Sequence, residues 1–214
     1  MRENLTSKKQ RVIKMIEIFR KVYKDAECTL DYQNALQLLI ATQLAAQCTD
    51  ARVNIVTKDL FKKYPDVYAF ANADELELQD DIRSTGFFRN KAKNIIGCCR
   101  MLIEKHNGNV PGTMEELLKL PGVGRKTANL VLGDFFGIPG VVVDTHATRL
   151  SNRMGYTTQS DPYKIELDLQ KVIPKESWAE FCHQLVYHGR EFCQARLAKC
   201  DTCPVEHLCP KRGI

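Results

Sequence analysis

Apolar residues recur at every third or fourth position along most of this chain, and that period suits helices far better than strands. Leu36, Leu39, Ile40 and Leu44 make one such face, Ile95, Cys99, Leu102 and Ile103 a second, and Leu130, Val131 and Phe135 a third. The one β-branched run, Val141-Val142-Val143, is short and stops at Asp144. Breakers punctuate the helical stretches: Tyr64-Pro65-Asp66, Thr85-Gly86, Asn107-Gly108-Asn109, Pro111-Gly112, Gly137-Ile138-Pro139-Gly140 and Asp161-Pro162. The chain reads as all-α, with roughly ten helices, no low-complexity linker and no internal repeat.

At 214 residues it has room for one large domain or two small ones. A hydrophobic fraction of 44% is ordinary for a globular protein and too high for a disordered one. No apolar run is long enough to span a bilayer. The N-terminal stretch interleaves charge with Val12, Ile16, Phe19 and Tyr23 at helical spacing, so it reads as an amphipathic helix and not a signal peptide. This predicts an intracellular, cytoplasmic protein with reduced thiols, and the odd count of nine cysteines argues against a complete disulfide framework. Lys plus Arg number 31 against 26 Asp plus Glu, a mild excess that permits a polyanionic partner without requiring one.

Two stretches carry chemistry. In the first, Thr113 followed by Glu116 is a capping-box pattern that opens a helix through about Lys119. Pro121 interrupts it, and Gly122 and Gly124 admit backbone angles that other residues resist. A second helix follows, with Ala128, Leu130, Val131 and Phe135 suited to its buried side. A Gly-x-Gly turn at the positive end of a helix, beside Arg125 and Lys126, can hold a phosphate without reading a base. A bare Gly-x-Gly is equally compatible with a plain turn between packed helices. The second stretch is Cys193-x6-Cys200-x2-Cys203-x5-Cys209, the spacing of a four-thiolate metal site. It matches neither a zinc ribbon of two Cys-x2-Cys pairs nor the common ferredoxin runs, and leaves zinc and iron–sulfur both open. Cys28, Cys48, Cys98, Cys99 and Cys182 lie in helical or apolar surroundings and read as core thiols.

LLIATQLAAQCTD, GFFRNKAKNI, LPGVGRKTANLVL, VDTHATRLSNRMG and the terminal cysteines follow one another in the order and spacing of the helix-hairpin-helix DNA glycosylases. The chain resembles the endonuclease III group of that family over nearly its whole length. The resemblance implies excision of oxidised pyrimidines from damaged double-stranded DNA, followed by strand cleavage 3′ to the abasic site through β-elimination. It matches Lys126 to the family's nucleophile and Asp144 to its catalytic aspartate; Asp144 also precedes a helix, Thr145 to Arg153, and suits an N-cap. A lysine must be partly neutral to attack. Its reference pKa near 10.4 can be lowered toward about 7–8 by burial or by cationic neighbours such as Arg125 and a helix end.

The same resemblance assigns Gly122, Val123, Gly124, Arg125 and Thr127 to DNA contact. It makes Gln47 and Phe87 the residues that fill the gap left by an extruded base. Relatives often carry leucine where this chain has Phe87, so Phe88 is the alternative; both aromatics also suit helix-end packing, and Gln47 a plain surface amide. The resemblance assigns a [4Fe-4S] cluster to Cys193, Cys200, Cys203 and Cys209 and points Arg196 and Lys199 of the intervening loop at phosphates; since glycosidic cleavage transfers no electrons, the cluster reads as non-catalytic, with a redox part in finding damage left open. It implies a two-lobed architecture with a C-terminal iron–sulfur cluster loop. Residues 28–139 form a six-helix lobe holding the hairpin (about 114–133), and 1–27 with 140–214 form the cluster lobe. DNA then lies across the cleft, with Lys126 on one wall and Asp144 on the other. A monomer without membrane attachment, associated with a prokaryotic nucleoid, is expected. Other readings are a sister glycosylase acting on adenine or mismatched thymine, a non-catalytic DNA-binding or redox-sensing module, and a zinc-stabilised DNA binder.

Overall fold

The computed structural model describes residues 3–214, and these contain eleven α-helices, four short 3₁₀ turns and no strand. In chain order the helices are α1 (Leu5–Val22), α2 (Ala35–Leu44), α3 (Asp50–Lys63), α4 (Val67–Ala71), α5 (Glu75–Asp81), α6 (Phe88–His106), α7 (Met114–Leu117), α8 (Arg125–Asp134), α9 (Thr145–Arg153), α10 (Pro162–Val172) and α11 (Trp178–Glu191). The only ladder-type pairing among the described residues is an isolated antiparallel bridge between Cys193 and Ala198. Val141 and Val143 are buried, but their extended run has no neighbouring strand and serves as the lead into α9.

The breakers act as the letters suggest. Asp66, Asp74 and Asp161 cap α4, α5 and α10 through their side chains, and Pro162 takes the first turn of α10. Asn107 and Gly108, at φ of 52° and 80°, end α6 in left-handed backbone.

The chain divides into two compact units: Thr29–Ile138, and the stretch through Cys28 together with Pro139–Ile214. The first holds α2 to α8, seven helices where six were expected; α4 and α7 are only five and four residues long. Its central element is α2, whose Leu38, Leu39, Ile40, Ala41 and Leu44 are all buried. A helix apolar all round belongs inside, and α3, α6 and α8 pack against it. The second unit joins distant parts of the sequence. Val12, Met15, Ile16 and Phe19 of α1 are almost fully buried, in one core with residues of α9, α10 and α11. Burying each such side chain is worth about 1.5–3 kcal/mol. Phe19 stacks on Phe181 and Tyr156 is fully enclosed.

Candidate active site and nucleic-acid interface

The turn between α7 and α8 is built from the residues that the hairpin pattern singled out. Thr113 caps α7, accepting from Glu116 N–H at 3.3 Å while its hydroxyl donates to the Glu116 carboxylate at 2.8 Å. Gly122 stands at φ 74°, and a Cβ there would lie 2.8 Å from Asn94 Cβ, so glycine is required on two counts. Gly124 differs from expectation. Its φ of −98° and ψ of 176° suit any residue, and a Cβ would meet nothing within 4 Å. What glycine supplies there is an open backbone. Gly124 is the N-cap of α8, with no side-chain cap, so the first N–H groups of the helix face outward at its positive end.

Around that end Lys126 is exposed, and its ammonium takes part in no ion pair among the described residues. Burial of this amine, allowed for in the sequence analysis, is not what the structure shows: the side chain is exposed. Val123 and Thr127 are buried, and the Val123 N–H donates to Leu120 O at 3.1 Å. Val123 therefore anchors the turn. Phe135, placed on the buried side from its spacing, is 42% exposed because α8 has ended at Asp134.

In the same unit Gln47 and Phe87 both hold left-handed backbone, with φ of 55° and 49°. Phe87 is 62% exposed, whereas Phe88 is half-buried with the guanidinium groups of Arg83 and Arg89 each 5.2 Å from its ring. Of the two aromatics, Phe87 is the one that projects. Gln47, Phe87, Lys91 and Gly122 line one recess of about 170 Å³. The buried Gln43 also lines it, and its Oε1 has no hydrogen-bond partner.

Lys91 was not foreseen as a site residue. It is 5% exposed, and its ammonium donates at 2.8 Å to both Leu44 O and Thr85 O. Burial holds its pKa below the usual lysine value, with the Cys48 thiol acting weakly the other way. One signal could have revealed it: Lys91 lies four residues before Ile95 and eight before Cys99, on the apolar stripe of α6.

In the other unit Asp144 caps α9, its Oδ1 accepting from Ala147 N–H at 2.7 Å. Downstream, Cys193, Cys200, Cys203 and Cys209 line a single cavity. Three of the four sulfurs receive a hydrogen-bonding contact from a nitrogen: Arg153 Nη1 to Cys193 at 3.4 Å, His188 Nε2 to Cys203 at 3.5 Å, and Lys211 N–H to Cys209 at 3.4 Å. Burial pushes His188 down to about 4, which keeps its ring neutral. One tautomer then serves both neighbours, Nε2–H donating to Cys203 and Nδ1 accepting from Tyr23 O–H at 2.9 Å. Burial pushes the Cys203 and Cys209 thiols up, so a bound metal must itself displace their protons.

Arg153 also donates to Gln194 O and Ala195 O, and Arg149 to Cys193 O, fixing the loop from beneath. Arg196 and Lys199 of that loop are exposed, as expected. The five remaining cysteines are not all core thiols. Cys98, Cys99 and Cys182 are buried, with Cys98 pushed up to about 12 by burial, but Cys28 and Cys48 are half-buried.

Residues 40–175 match the family described as HhH-GPD superfamily base excision DNA repair protein. Endonuclease III of Synechocystis sp. is 55% identical over 207 residues, spanning 96% of this chain and 94% of that protein. Endonuclease III of Bacillus subtilis is 46% identical over 88% of this chain and 86% of its own. A solved structure described as a trapped endonuclease III–DNA covalent intermediate, an estranged-adenine complex, superposes with a TM-score of 0.90. It is 46% identical and covers 95% of this chain and 96% of that one. No described helix is long and apolar enough to cross a membrane.

Proposed function

The chain belongs to the HhH-GPD superfamily of base excision DNA repair proteins, among its endonuclease III members, and from that premise we propose that Lys126 is the nucleophile that removes an oxidised pyrimidine and then cuts the strand. The general activity is that of a DNA glycosylase and abasic-site lyase. The observation that carries the residue assignment is the place of Lys126. It is an exposed amine in the first turn of α8, two residues past an uncapped glycine where a phosphate can approach.

The neutral Nζ attacks C1′, the glycosidic bond breaks, and the departing base takes a proton. Loss of the remaining amine proton and opening of the sugar give an imine between C1′ and Nζ. That imine acidifies C2′–H. Removal of the C2′ proton breaks the C3′–O3′ bond, and water later hydrolyses the imine and restores Lys126. A hydroxyl or water nucleophile would stop at base removal. Asp144, whose capping role engages one carboxylate oxygen, keeps the other to accept or return a proton and to stabilise charge at the sugar. The chemistry needs a base out of the stack, and Gln47 and Phe87 fill the vacated space. Arg196 and Lys199 hold backbone phosphates without reading sequence.

The four cysteines suit a [4Fe-4S] cluster. They supply the four thiolates, and the N–H groups aimed at three sulfurs would stabilise the bound form. Glycosidic cleavage transfers no electrons, so the cluster's part is to fix the tail that presents Arg196 and Lys199. One chain carries every residue invoked, which supports action as a monomer.

The test is reduction with borohydride on duplexes carrying an abasic or oxidised-pyrimidine site. Wild-type protein should be trapped covalently. Lys126→Gln should still bind the damaged duplex and lose both base removal and trapping. Undiminished trapping of Lys126→Gln would assign the nucleophile to another amine.

A further inference from the structure

Burying an ammonium is unfavourable unless its hydrogens are well used, and Lys91 uses its own in an uncommon way. It stands in the first turn of α6, where its backbone N–H donates to Phe87 O at 3.1 Å. Its side chain then reaches two carbonyls on two different segments, each at 2.8 Å. Leu44 O belongs to the last residue of α2, three residues before Gln47. Thr85 O ends a 3₁₀ turn, two residues before Phe87. Gln47 and Phe87 are two of the four non-glycine residues at positive φ among the described residues. Such backbone persists only where the surroundings over-determine it. Among the described residues no carboxylate pairs with Lys91. Its two acceptors lie three residues before Gln47 and two before Phe87, and Gln47, Phe87 and Lys91 all line the same recess.

We propose that Lys91 is a positioning residue, a clamp that locks the Gln47 and Phe87 turns at one separation so that both side chains enter an opened duplex together. This rests on the reading of Gln47 and Phe87 as gap-filling residues and deepens it. Lys91 touches neither the damaged base nor the sugar. It acts through the two turns, and its contribution is to hold the filler residues ready before DNA arrives. A buried lysine that served folding alone would stabilise the unit equally for every substrate. A clamp on the filler residues matters only where a base must be drawn from a stack.

The test uses the full-length protein and compares a duplex oxidised-pyrimidine site with a single-stranded abasic site, which requires no extrusion. Lys91→Met keeps the stem and removes all three donors. On the duplex, base removal should fall by about 10²-fold, the scale that a misplacement of about 1 Å far from the chemistry can produce. Lyase cleavage and borohydride trapping on the single strand should stay within about twofold, since the reacting groups are intact. The fluorescence rise of 2-aminopurine beside the lesion, which reports unstacking without any chemistry, should shrink in parallel. If Lys91→Met does not fold, Lys91→Gln keeps a donor for one carbonyl, and the same selective loss is expected at smaller size. Equal losses on duplex and single strand, or none on either, would overturn the clamp. Wild-type protein that cannot be trapped on either substrate would instead sink the lysine-imine reading, and the 2-aminopurine signal would still judge Lys91.

Discussion

Asp144 has two oxygens and two demands on them. Oδ1 takes the Ala147 N–H at 2.7 Å, which satisfies one of the orphan donors of α9, and the role proposed for Asp144 requires an acidic oxygen as well. The two demands can be separated. Asn is as good an N-cap as Asp, so Asp144→Asn should leave thermal stability unchanged within about 0.5 kcal/mol. It cannot exchange a proton in the same way, so single-turnover base removal should slow by about 10²–10⁴-fold. Asp144→Ala should add a stability loss of about 1 kcal/mol from the missing cap. Full activity in Asp144→Asn would reduce Asp144 to a cap. Both its placement and the start of its helix could be read from Val143-Asp144-Thr145-His146, because capping is local chemistry. Lys91 could not be read so easily. A lysine in a run of helix formers looks like surface charge until the partners of the buried amine, 47 and 6 residues away in sequence, are known.

The hairpin turn shows what a motif tells and what it conceals. Its letters disclose two glycines and hide that they do different work. Gly122→Ala would place a Cβ 2.8 Å from that of Asn94, at a φ of 74°. The left-handed backbone alone costs about 1–2 kcal/mol, so the melting temperature should drop by several degrees and DNA binding should fall with it. Gly124→Ala meets no atom within 4 Å and keeps an ordinary φ. A stiffer unfolded chain and a slightly poorer cap offset each other, and stability should change by less than about 1 kcal/mol. Its methyl group nonetheless stands where the proposed phosphate contact would approach the backbone. Affinity should fall for all sequences alike, and the log–log salt slope should flatten by about 0.9 for one lost phosphate contact. Gly124→Ala protein with unchanged affinity and slope would remove the anion site from this turn. The same limit explains the other departure at this scale. Periodicity put Phe135 on a buried face without showing where α8 ends.

For the whole molecule, the informative fact is that one unit is assembled from both ends of the chain. α1 supplies Val12, Met15, Ile16 and Phe19, and Tyr23 just after it also enters the core, whose other buried members lie beyond residue 140; Arg11 reaches Met154 O and Leu208 O. The cysteine tail has few apolar groups of its own. Val205 is buried, but much of the segment from 193 to 214 rests on 3₁₀ turns and on arginine donors. On the proposed cluster reading, a segment so short of apolar burial draws its order from metal–thiolate bonds, and binding free energy there is folding free energy. Purified protein should contain iron and inorganic sulfide in about equal amounts, with four of each per chain when fully loaded. Cys203→Ser replaces one of the four proposed thiolate ligands and leaves a hydroxyl facing the His188 ring in place of the sulfur. It should lower metal content and strip amide-exchange protection from α1, α9 and α11. The α2 and α6 helices, which lie in the other unit, should keep theirs, so that unfolding separates into two transitions. Stoichiometric zinc without sulfide would overturn the cluster. A single transition, with protection lost equally in α2 and α11, would show that the metal holds more than the unit in which its ligands lie.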